Sequence, residues 1–203
     1  QLEQSFGINF TVLVDGQPKE VNLKEMLHAF IKHRKEIITK RTKYDLKKAK
    51  ERGHIVEGLM VAIANIDEVI LIIKKSKDPK VASEALSKKI WKAGPVEAIL
   101  KKVGNDACKP KGIDKSLGIK GKKYKLSNDQ AKAILELRLG RLTGLEQDNL
   151  SSEFNEIVTK IMALQKILDD KDTLKSLMID ELEDIQNSFG DDRKTKINDT
   201  RRG

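Results

Sequence analysis

The clearest pattern in the chain is a spaced apolar repeat between Leu23 and Ile73. Apolar or long-stemmed residues recur at steps that alternate between four and three, which predicts one helix lying along a second helix. These positions are 23, 27, 30, 34, 37, 41, 44, 48, 51, 55, 59, 62, 66, 69 and 73. An unbroken helix of about fifty residues would be about 75 Å long. We therefore expect it to hold two parts of the protein far apart.

The segment before this helix has the pattern of a β-hairpin. Residues 8–14 are β-rich, and Asp15-Gly16 follows them as a pair typical of two-residue hairpin turns. Pro18 has no N–H to donate, so the second strand is expected at a sheet edge. Asn22 with Glu25 three residues later predicts a capping box at the start of the long helix.

The long helix changes character along its length. Thr39 to Gly53 shows a thin apolar seam among Lys and Arg, whereas Ile55 to Ile73 is apolar almost all round and should be buried on several sides. Gly53 and Gly58 lie at the junction, and each costs about 1 kcal/mol relative to Ala inside a helix. Two explanations stay open: close packing against a neighbour, which the pattern favours, and a flexing point.

Capping residues and helix breakers predict the elements that follow. Three short helices are expected, from Asp78-Pro79 to about Ile90, from Gly94-Pro95 to about Val103, and from Ser127 through Leu139, ending at Thr143-Gly144. Residues 104–125 are rich in Gly, Pro and Lys and predict a loop.

Two further helices predict a return along the long one. Residues 145–169 carry a seam at Leu150, Phe154, Ile157, Ile161, Leu164 and Leu168; after a break at Asp169-Asp170, a last helix carries Leu174, Met178, Leu182, Ile185 and Phe189 before Gly190. The predicted fold is mainly α: a long antiparallel coiled-coil arm, a small helical dimerisation globule at its tip and a short β-hairpin at its base. The predicted segments are a β-hairpin (1–22), an outgoing helix (23–75), the globule (76–144), returning helices (145–190) and a basic tail (191–203).

The helix that begins at Ser127 is apolar on two faces and therefore needs two partners. A second copy of the chain in a closed two-fold contact could cover one face, or the helix could be fully buried inside the globule. The pattern does not decide between these alternatives. The candidate dimer-interface residues are Ile134, Leu135, Leu137, Arg138, Leu139 and Leu142.

Charge is unevenly distributed along the 203 residues, whose formal net charge is +9. Residues 22–60 hold eleven Lys and Arg against five Asp and Glu, whereas residues 145–192 hold four against thirteen. This contrast favours the two stretches lying side by side. Lys32, Arg34, Lys40 and Arg41 are candidate DNA-facing residues, and seven lysines between 109 and 125 form a second basic stretch. A solvated face that the acidic helices neutralise in part is the alternative, and the pattern favours it.

Residues with catalytic or metal-binding potential are few. The chain has no phosphate-binding loop motif and no H-E-x-x-H, the spacing of His28, His33 and His54 does not suit a shared metal site, and Cys108 is the single cysteine. The histidines are expected to be ordinary seam or surface residues. Tyr44 is expected to pack in the seam and Tyr124 to be structural. The longest apolar run is only six residues, at 59–64, so no membrane association is predicted.

Segments along nearly the whole chain resemble one protein family in order and spacing. They are Ser5-Phe6-Gly7-Ile8-Asn9, Val14-Asp15-Gly16-Gln17-Pro18, His33-Arg34, Arg41-Thr42, Ile55-Val56-Glu57-Gly58-Leu59, Ala64-Asn65-Ile66-Asp67, Gln130-Ala131, Ala133-Ile134-Leu135, Leu137-Arg138-Leu139, Leu142-Thr143-Gly144-Leu145-Glu146 and Phe189-Gly190-Asp191. The family is that of the A subunits of bacterial DNA gyrase, which are type IIA topoisomerases. Trp91, Gly94 and the insertion after them resemble gyrase more than topoisomerase IV. Gly53 and Gly140 depart from the family pattern, since better helix formers are expected there.

The resemblance implies that the chain is the coiled-coil arm and exit gate, or C-gate, of the breakage–reunion domain. The expected partners are a second copy, the gyrase B subunit in an A2B2 holoenzyme, and double-stranded DNA, in the bacterial cytoplasm. ATP and Mg²⁺ would act through the B subunit. The family's catalytic tyrosine follows an arginine in an upstream domain, and neither Tyr44 nor Tyr124 matches that motif. The chain alone is therefore expected to be inactive. The alternative is a stand-alone basic coiled-coil module that binds nucleic acid or protein.

Overall fold

The computed structural model describes residues 9–114, 116–137 and 144–195, without the side chains of 144–146. Contacts divide the chain into two compact units, Gln1–Lys40 with Asp170–Gly203, and Arg41–Asp169. The described helices are α1 (Leu23–Ala64), α2 (Ile66–Lys75), α3 (Pro79–Lys88), α4 (Val96–Val103), α5 (Asn128–Leu135), α6 (Gly144–Asp169) and α7 (Lys171–Phe189). The described strands are β1 (Phe10–Val14), β2 (Gln17–Val21), β3 (Ile90–Lys92), β4 (Gly118–Lys120) and β5 (Lys123–Lys125). The mainly α class, with a long first helix and an opening β-hairpin, is confirmed.

The opening hairpin follows from its turn residues. β1 and β2 pair in antiparallel register from Phe10 opposite Val21 to Val14 opposite Gln17. Asp15 and Gly16 both have positive φ, 53° and 80°, as a type I′ turn requires. The sheet has two strands, so Pro18 lies on an edge strand as predicted. The capping box at the start of α1 is also present, because Asn22 and Glu25 each donate a backbone N–H to the other's side chain at 2.9 Å.

The prediction of one unbroken helix to Ile73 is wrong at Asn65. α1 ends at Ala64, and Asn65 adopts φ −125° and ψ 34° before α2 begins. The Asn65 side-chain amide donates to the carbonyl of Val61 at 2.8 Å and to that of Lys92 at 2.9 Å. Asparagine amides compete in this way with helical hydrogen bonding, and here the competition produces a break.

The predicted seam is displaced by about one position in the first part of α1, whereas Leu59 and Ala62 near its end are buried as predicted. Ile38, Thr42, Ala49, Gly53 and Val56 are buried. The predicted seam residues Leu23, Leu27, Phe30, Ile37 and Tyr44 are instead between 38% and 61% exposed. The prediction gave weight to long side chains, whereas the buried line also includes Thr42, Ala49 and Gly53. At Gly53 the missing side chain leaves room for Ile157 of α6. The expectation that Tyr44 packs in the seam is therefore wrong; Lys48 Nζ lies 5.9 Å from its ring centroid.

Close packing explains both helical glycines. A Cβ on Gly53 would lie 3.0 Å from Cys108 Sγ and 3.0 Å from Ile157 Cγ2. A Cβ on Gly58 would lie 2.6 Å from Gln130 Cγ. The close-packing alternative is thus supported at both positions, and the departure at Gly53 from a better helix former has a physical reason.

Residues 104–125 contain a hairpin that the loop prediction missed. β4 and β5 pair with each other, and β5 also pairs with β3, in a three-stranded antiparallel sheet of order β3-β5-β4. The central residues of the strands, Trp91, Tyr124 and Ile119, are buried on one face. Strands of three residues are too short to show the two-residue period on which strand prediction depends.

The bounds of the last two helices agree closely with prediction, but the predicted seam of α7 is not buried along its whole length. Asp170 separates α6 from α7 and caps α7 by accepting from the N–H groups of Asp172 and Thr173. Phe154 and Ile161 are fully buried, as expected for seam residues. Ile185 and Phe189 are 50% and 81% exposed, so the predicted seam of the last helix does not extend to them. α5 ends at Leu135, earlier than the predicted Leu139.

Candidate functional site

The candidate interface begins with the cap of α5. The Ser127 hydroxyl accepts from the backbone N–H of Gln130 at 3.2 Å, and Gln130 Oε1 accepts from the backbone N–H of Ser127 at 2.9 Å. This reciprocal capping box fixes where α5 starts. The helix then turns Gln130, Ala131 and Ile134 inward.

The predicted interface residues are divided between the core and the surface. Ile134 is 3% exposed and packs in the hydrophobic core. Leu135 and Leu137 are only half-buried, with part of each side chain packed against the core. Arg138, Leu139 and Leu142 lie outside the described residues. Among the described candidate residues, the accessible apolar surface is therefore that of Leu135, at the end of α5, and of Leu137, just after it.

A groove lies beside Leu135. α3 packs next to α5, and the groove between them has a volume of about 540 Å³. Its lining residues are Pro79, Lys80, Ser83, Glu84, Asn128, Lys132, Leu135 and Glu136. Leu135 thus contributes both to the core and to an open surface.

A buried polar network, which sequence reasoning missed, joins α1 to α5 and β5. Gln130 Nε2 donates to the His54 carbonyl at 2.7 Å and to the Tyr124 hydroxyl at 2.8 Å. It also lies 3.3 Å from His54 Nδ1, while His54 Nε2 lies 2.8 Å from the Ser127 hydroxyl. His28 and His33 are exposed as expected, but His54 is not the ordinary seam or surface residue that we predicted.

Glu57 completes this network from the next turn of α1. It is 5% exposed, and its carboxyl group accepts a hydrogen bond from the Tyr124 hydroxyl. The only sequence signal for the cluster was the spacing of His54 and Glu57, two polar residues three apart in the apolar half of the helix. Tyr124 is 1% exposed, which confirms its structural role.

Burial changes the protonation of these groups. It lowers the pKa of His54 from 6.5 to about 4, so the ring is neutral near pH 7. Burial raises the pKa of Glu57 from 4.5 to about 7, and the Tyr124 hydrogen bond offsets this only in part. Burial also raises the pKa of Tyr124 well above 10 and that of Cys108 to about 12. None of these shifts creates a nucleophile, because the tyrosine and cysteine are held protonated.

The candidate DNA-facing residues differ in their contacts. Arg34 forms an ion pair with Glu181 on α7 at 2.8 Å, and both side chains are about three-quarters buried, with 25% and 23% exposed. Lys32 is exposed and lies 3.5 Å from Asp15. Lys40 and Arg41 are exposed. The Arg34 pair supports the interpretation that the acidic returning helices neutralise part of the basic face, as does a second pair, between Arg52 and Glu153 at 2.7 Å.

Within the described residues, no three His, Cys, Asp or Glu side chains are placed to hold a metal ion. No described helix is both long and apolar enough to cross a membrane.

The described residues thus define a mainly α module in which α1 contacts α6 in one unit and α7 in the other. Residues 1–183 match the family described as the A subunit of DNA gyrase/topoisomerase IV. The chain is 50% identical to the DNA gyrase A subunit of Pseudomonas aeruginosa over 197 residues, which are 97% of this chain and 21% of that protein. The corresponding protein of Salmonella typhimurium is 43% identical, with 97% and 22% covered, and that of Staphylococcus aureus 41%, with 97% and 18% covered.

The chain belongs to the family of DNA gyrase/topoisomerase IV A subunits. It spans about a fifth of the length of the relatives that it matches.

Proposed function

We propose that the chain forms the coiled-coil arm and exit gate, or C-gate, of the A subunit of an ATP-dependent type IIA DNA topoisomerase, and that two copies meet at the gate. The observation that carries the proposal is the end of α5. There, Leu135 and Leu137 are partly exposed, whereas the neighbouring Ile134 packs in the core. An apolar edge beside an open groove suits a contact that a two-fold axis repeats.

The proposed role of the chain toward DNA is electrostatic. Lys40 and Arg41 are exposed, and residues 22–60 carry more positive than negative charge. Such a surface attracts a duplex through its phosphates without reading its sequence. The duplex would pass between the arms and leave when the gate opens.

The proposal assigns the chemistry to other parts of the enzyme. Tyr44 and Tyr124 are the two tyrosines of the chain, and each follows a lysine, whereas the family's nucleophile follows an arginine. The buried, hydrogen-bonded Tyr124 is also a poor nucleophile. We propose that ATP hydrolysis and Mg²⁺ binding come from the B subunit of an A2B2 complex, and that this chain alone is inactive.

Sedimentation tests the gate contact. The 203-residue chain should sediment as a dimer at micromolar concentration, and Leu135→Lys or Leu137→Lys should shift it to monomer. Met162→Lys is the matched control, because Met162 on α6 is also apolar and is 51% exposed. Circular dichroism must show that each variant is folded. A wild-type monomer would overturn the proposal, and so would a dimer that the α5 substitutions leave intact.

A cross-link tests whether the contact must open. The chain would replace its counterpart in the Pseudomonas aeruginosa DNA gyrase A subunit, with Leu137→Cys introduced and Cys108→Ala removing the natural thiol. Complete disulfide formation between the two copies should abolish supercoiling, and reduction should restore it. Supercoiling that survives complete cross-linking would show that this contact is not an exit gate.

A further inference from the structure

Three lysines form a row across the small sheet of the second unit. In the sheet register, Lys92 on β3 lies opposite Lys123 on β5, and Lys120 on β4 lies opposite Lys123 from the other side. All three are exposed, whereas the neighbouring residue on each strand is buried. The row therefore occupies the outer face of the sheet. We call Lys92, Lys123 and Lys120 the lysine row.

This arrangement is unfavourable for the sheet itself. Like charges directly opposite each other on neighbouring strands destabilise a sheet, and Lys123 faces such a partner on both sides. Across residues 9–114, 116–137 and 144–195, no carboxylate oxygen lies within 4.0 Å of the ammonium group of any member of the row.

Two carboxylates interact with members of the row from a distance but bind other groups directly. Glu68 attracts Lys92 and pairs with Lys89. Asp114 attracts Lys120 and accepts from the backbone N–H of Ser116 at 2.8 Å. These contacts leave the row as a concentration of positive charge that an external anion could neutralise.

A shallow cavity of about 280 Å³ lies beside the row. Lys120, Lys123 and Lys125 line it together with Ser116 and Gly118. Its walls are mostly apolar, so the lysines line it chiefly with their aliphatic stems. The anion-binding groups of this face are therefore the exposed ammonium groups of the row and not the cavity.

The geometry favours a phosphate chain over other nucleic-acid features. Neighbouring strands are about 4.8 Å apart, so the row spans about 10 Å, and three successive phosphates of one DNA strand rise about 7 Å along the helix axis. Lysine presents a mobile point charge that suits phosphates, rather than the planar fork that reads base edges. The aromatic residues of this sheet, Trp91 and Tyr124, are buried on its opposite face, so the row offers no ring on which unpaired bases could stack.

We propose that the lysine row binds the phosphate backbone of duplex DNA without reading its sequence. The proposal rests on the proposed function only for the choice of DNA as the polyanion. Two members of the row, Lys120 and Lys123, belong to the second basic stretch, residues 109–125. The proposed exit gate gives this stretch no role, and DNA binding by the row would supply one.

Binding of a labelled DNA duplex of about 30 base pairs, long enough for several phosphate contacts, tests the proposal by fluorescence anisotropy at several salt concentrations. Replacing Lys92, Lys120 and Lys123 with Gln in the 203-residue chain should make the slope of log K against log salt shallower by about 2.7, because each lost phosphate contact removes about 0.9. The matched control replaces Lys74, Lys75 and Lys77, which lie in the same unit, and should change the slope by less than about 1. Arginine at the three row positions should retain the slope.

The outcomes separate the alternatives. Equal changes in the row and control variants would overturn the proposal, because net charge alone would then explain binding. Preference for a single strand with the same number of phosphates would also overturn it. An acidic peptide that binds the row where the duplex does not would assign the face to a protein partner, which could cover the exposed Ile90 as well. Sedimentation of the same variants reports the dimer separately, so failure of this proposal and failure of the gate are distinguishable.

Discussion

The buried pair His54 and Glu57 should give two opposing pH dependences of the free energy of unfolding. Both side chains are 5% exposed. The folded-state pKa of Glu57, about 7, is above its ordinary value of 4.5. Its stabilising contribution is therefore fully present below pH 4.5 and is lost as the pH rises through 7. At about 1.36 kcal/mol per unit, the loss is about 3 kcal/mol.

His54 acts in the opposite direction. Its folded-state pKa of about 4 is below its ordinary value of 6.5, so its contribution is fully present above pH 6.5 and is lost as the pH falls through 4. This loss is also about 3 kcal/mol. Between pH 4.5 and 6.5 the two contributions change at similar rates with opposite sign. The pair together should therefore leave stability nearly independent of pH in that range.

Single substitutions should reveal each contribution. We compare the free energy of unfolding of each variant with that of the natural chain. For Glu57→Gln, this difference should shift in favour of the variant by about 3 kcal/mol as the pH rises from 4.5 to 7. For His54→Gln, it should shift in favour of the variant by about 3 kcal/mol as the pH falls from 6.5 to 4. Urea unfolding followed by the fluorescence of Trp91 measures this, because Trp91 is the only tryptophan and is buried in the same unit. Glu136→Gln, at an exposed position, is the control and should parallel the natural chain. If all three variants give curves parallel to the natural one, the reasoning about burial is refuted.

Three further experiments test individual contacts. Gly58→Ala should lower the melting temperature, because overpacking against Gln130 costs about 1–3 kcal/mol and the gain in helix propensity is only about 1 kcal/mol; a higher melting temperature by circular dichroism would contradict this. A double-mutant cycle of Arg34→Ala and Glu181→Ala should give a coupling energy of about 1 kcal/mol, at the upper end for such pairs, and a value near zero would show that the partial burial adds nothing. Lys123→Glu should stabilise the sheet by about 0.2–1 kcal/mol for each of its two cross-strand pairs while weakening DNA binding, and a loss of stability in urea would contradict the like-charge argument.

Local signals predicted the elements whose ends are set by neighbouring residues in the chain. The hairpin depends on Asp15 and Gly16, and the start of α1 on Asn22 and Glu25, so both could be read from the sequence. The break at Asp170 is equally local. In contrast, the amide of Asn65 at the interruption has one local acceptor, the carbonyl of Val61, and one that is 27 residues away, the carbonyl of Lys92. The second acceptor could not be predicted from a local pattern.

The site was less accessible to sequence reasoning than the fold. The predicted seam missed Thr42, Ala49 and Gly53 because they are polar or small, although all three are buried. At Gly53 the reason is the close approach of Ile157 and Cys108, which hydrophobicity does not report. His54 was taken for an ordinary seam or surface residue because its partners, Ser127 and Gln130, are more than seventy residues away. The lysine row needed the register of three short strands, which the sequence did not predict.

The polar network also has a consequence for the proposed gate. Gln130 is fully buried and bonds to Ser127, Tyr124 and His54 at once. Directional hydrogen bonds of this kind fix the register between two helices, whereas apolar side chains can slide and repack. Gly58 permits the close approach that these bonds require. The start of α5 is therefore held firmly to α1, and the half-exposed leucines at the other end of α5 are held by apolar contacts. If the gate opens as proposed, we expect separation at those leucines while the network stays intact, so that α1 and α5 move together.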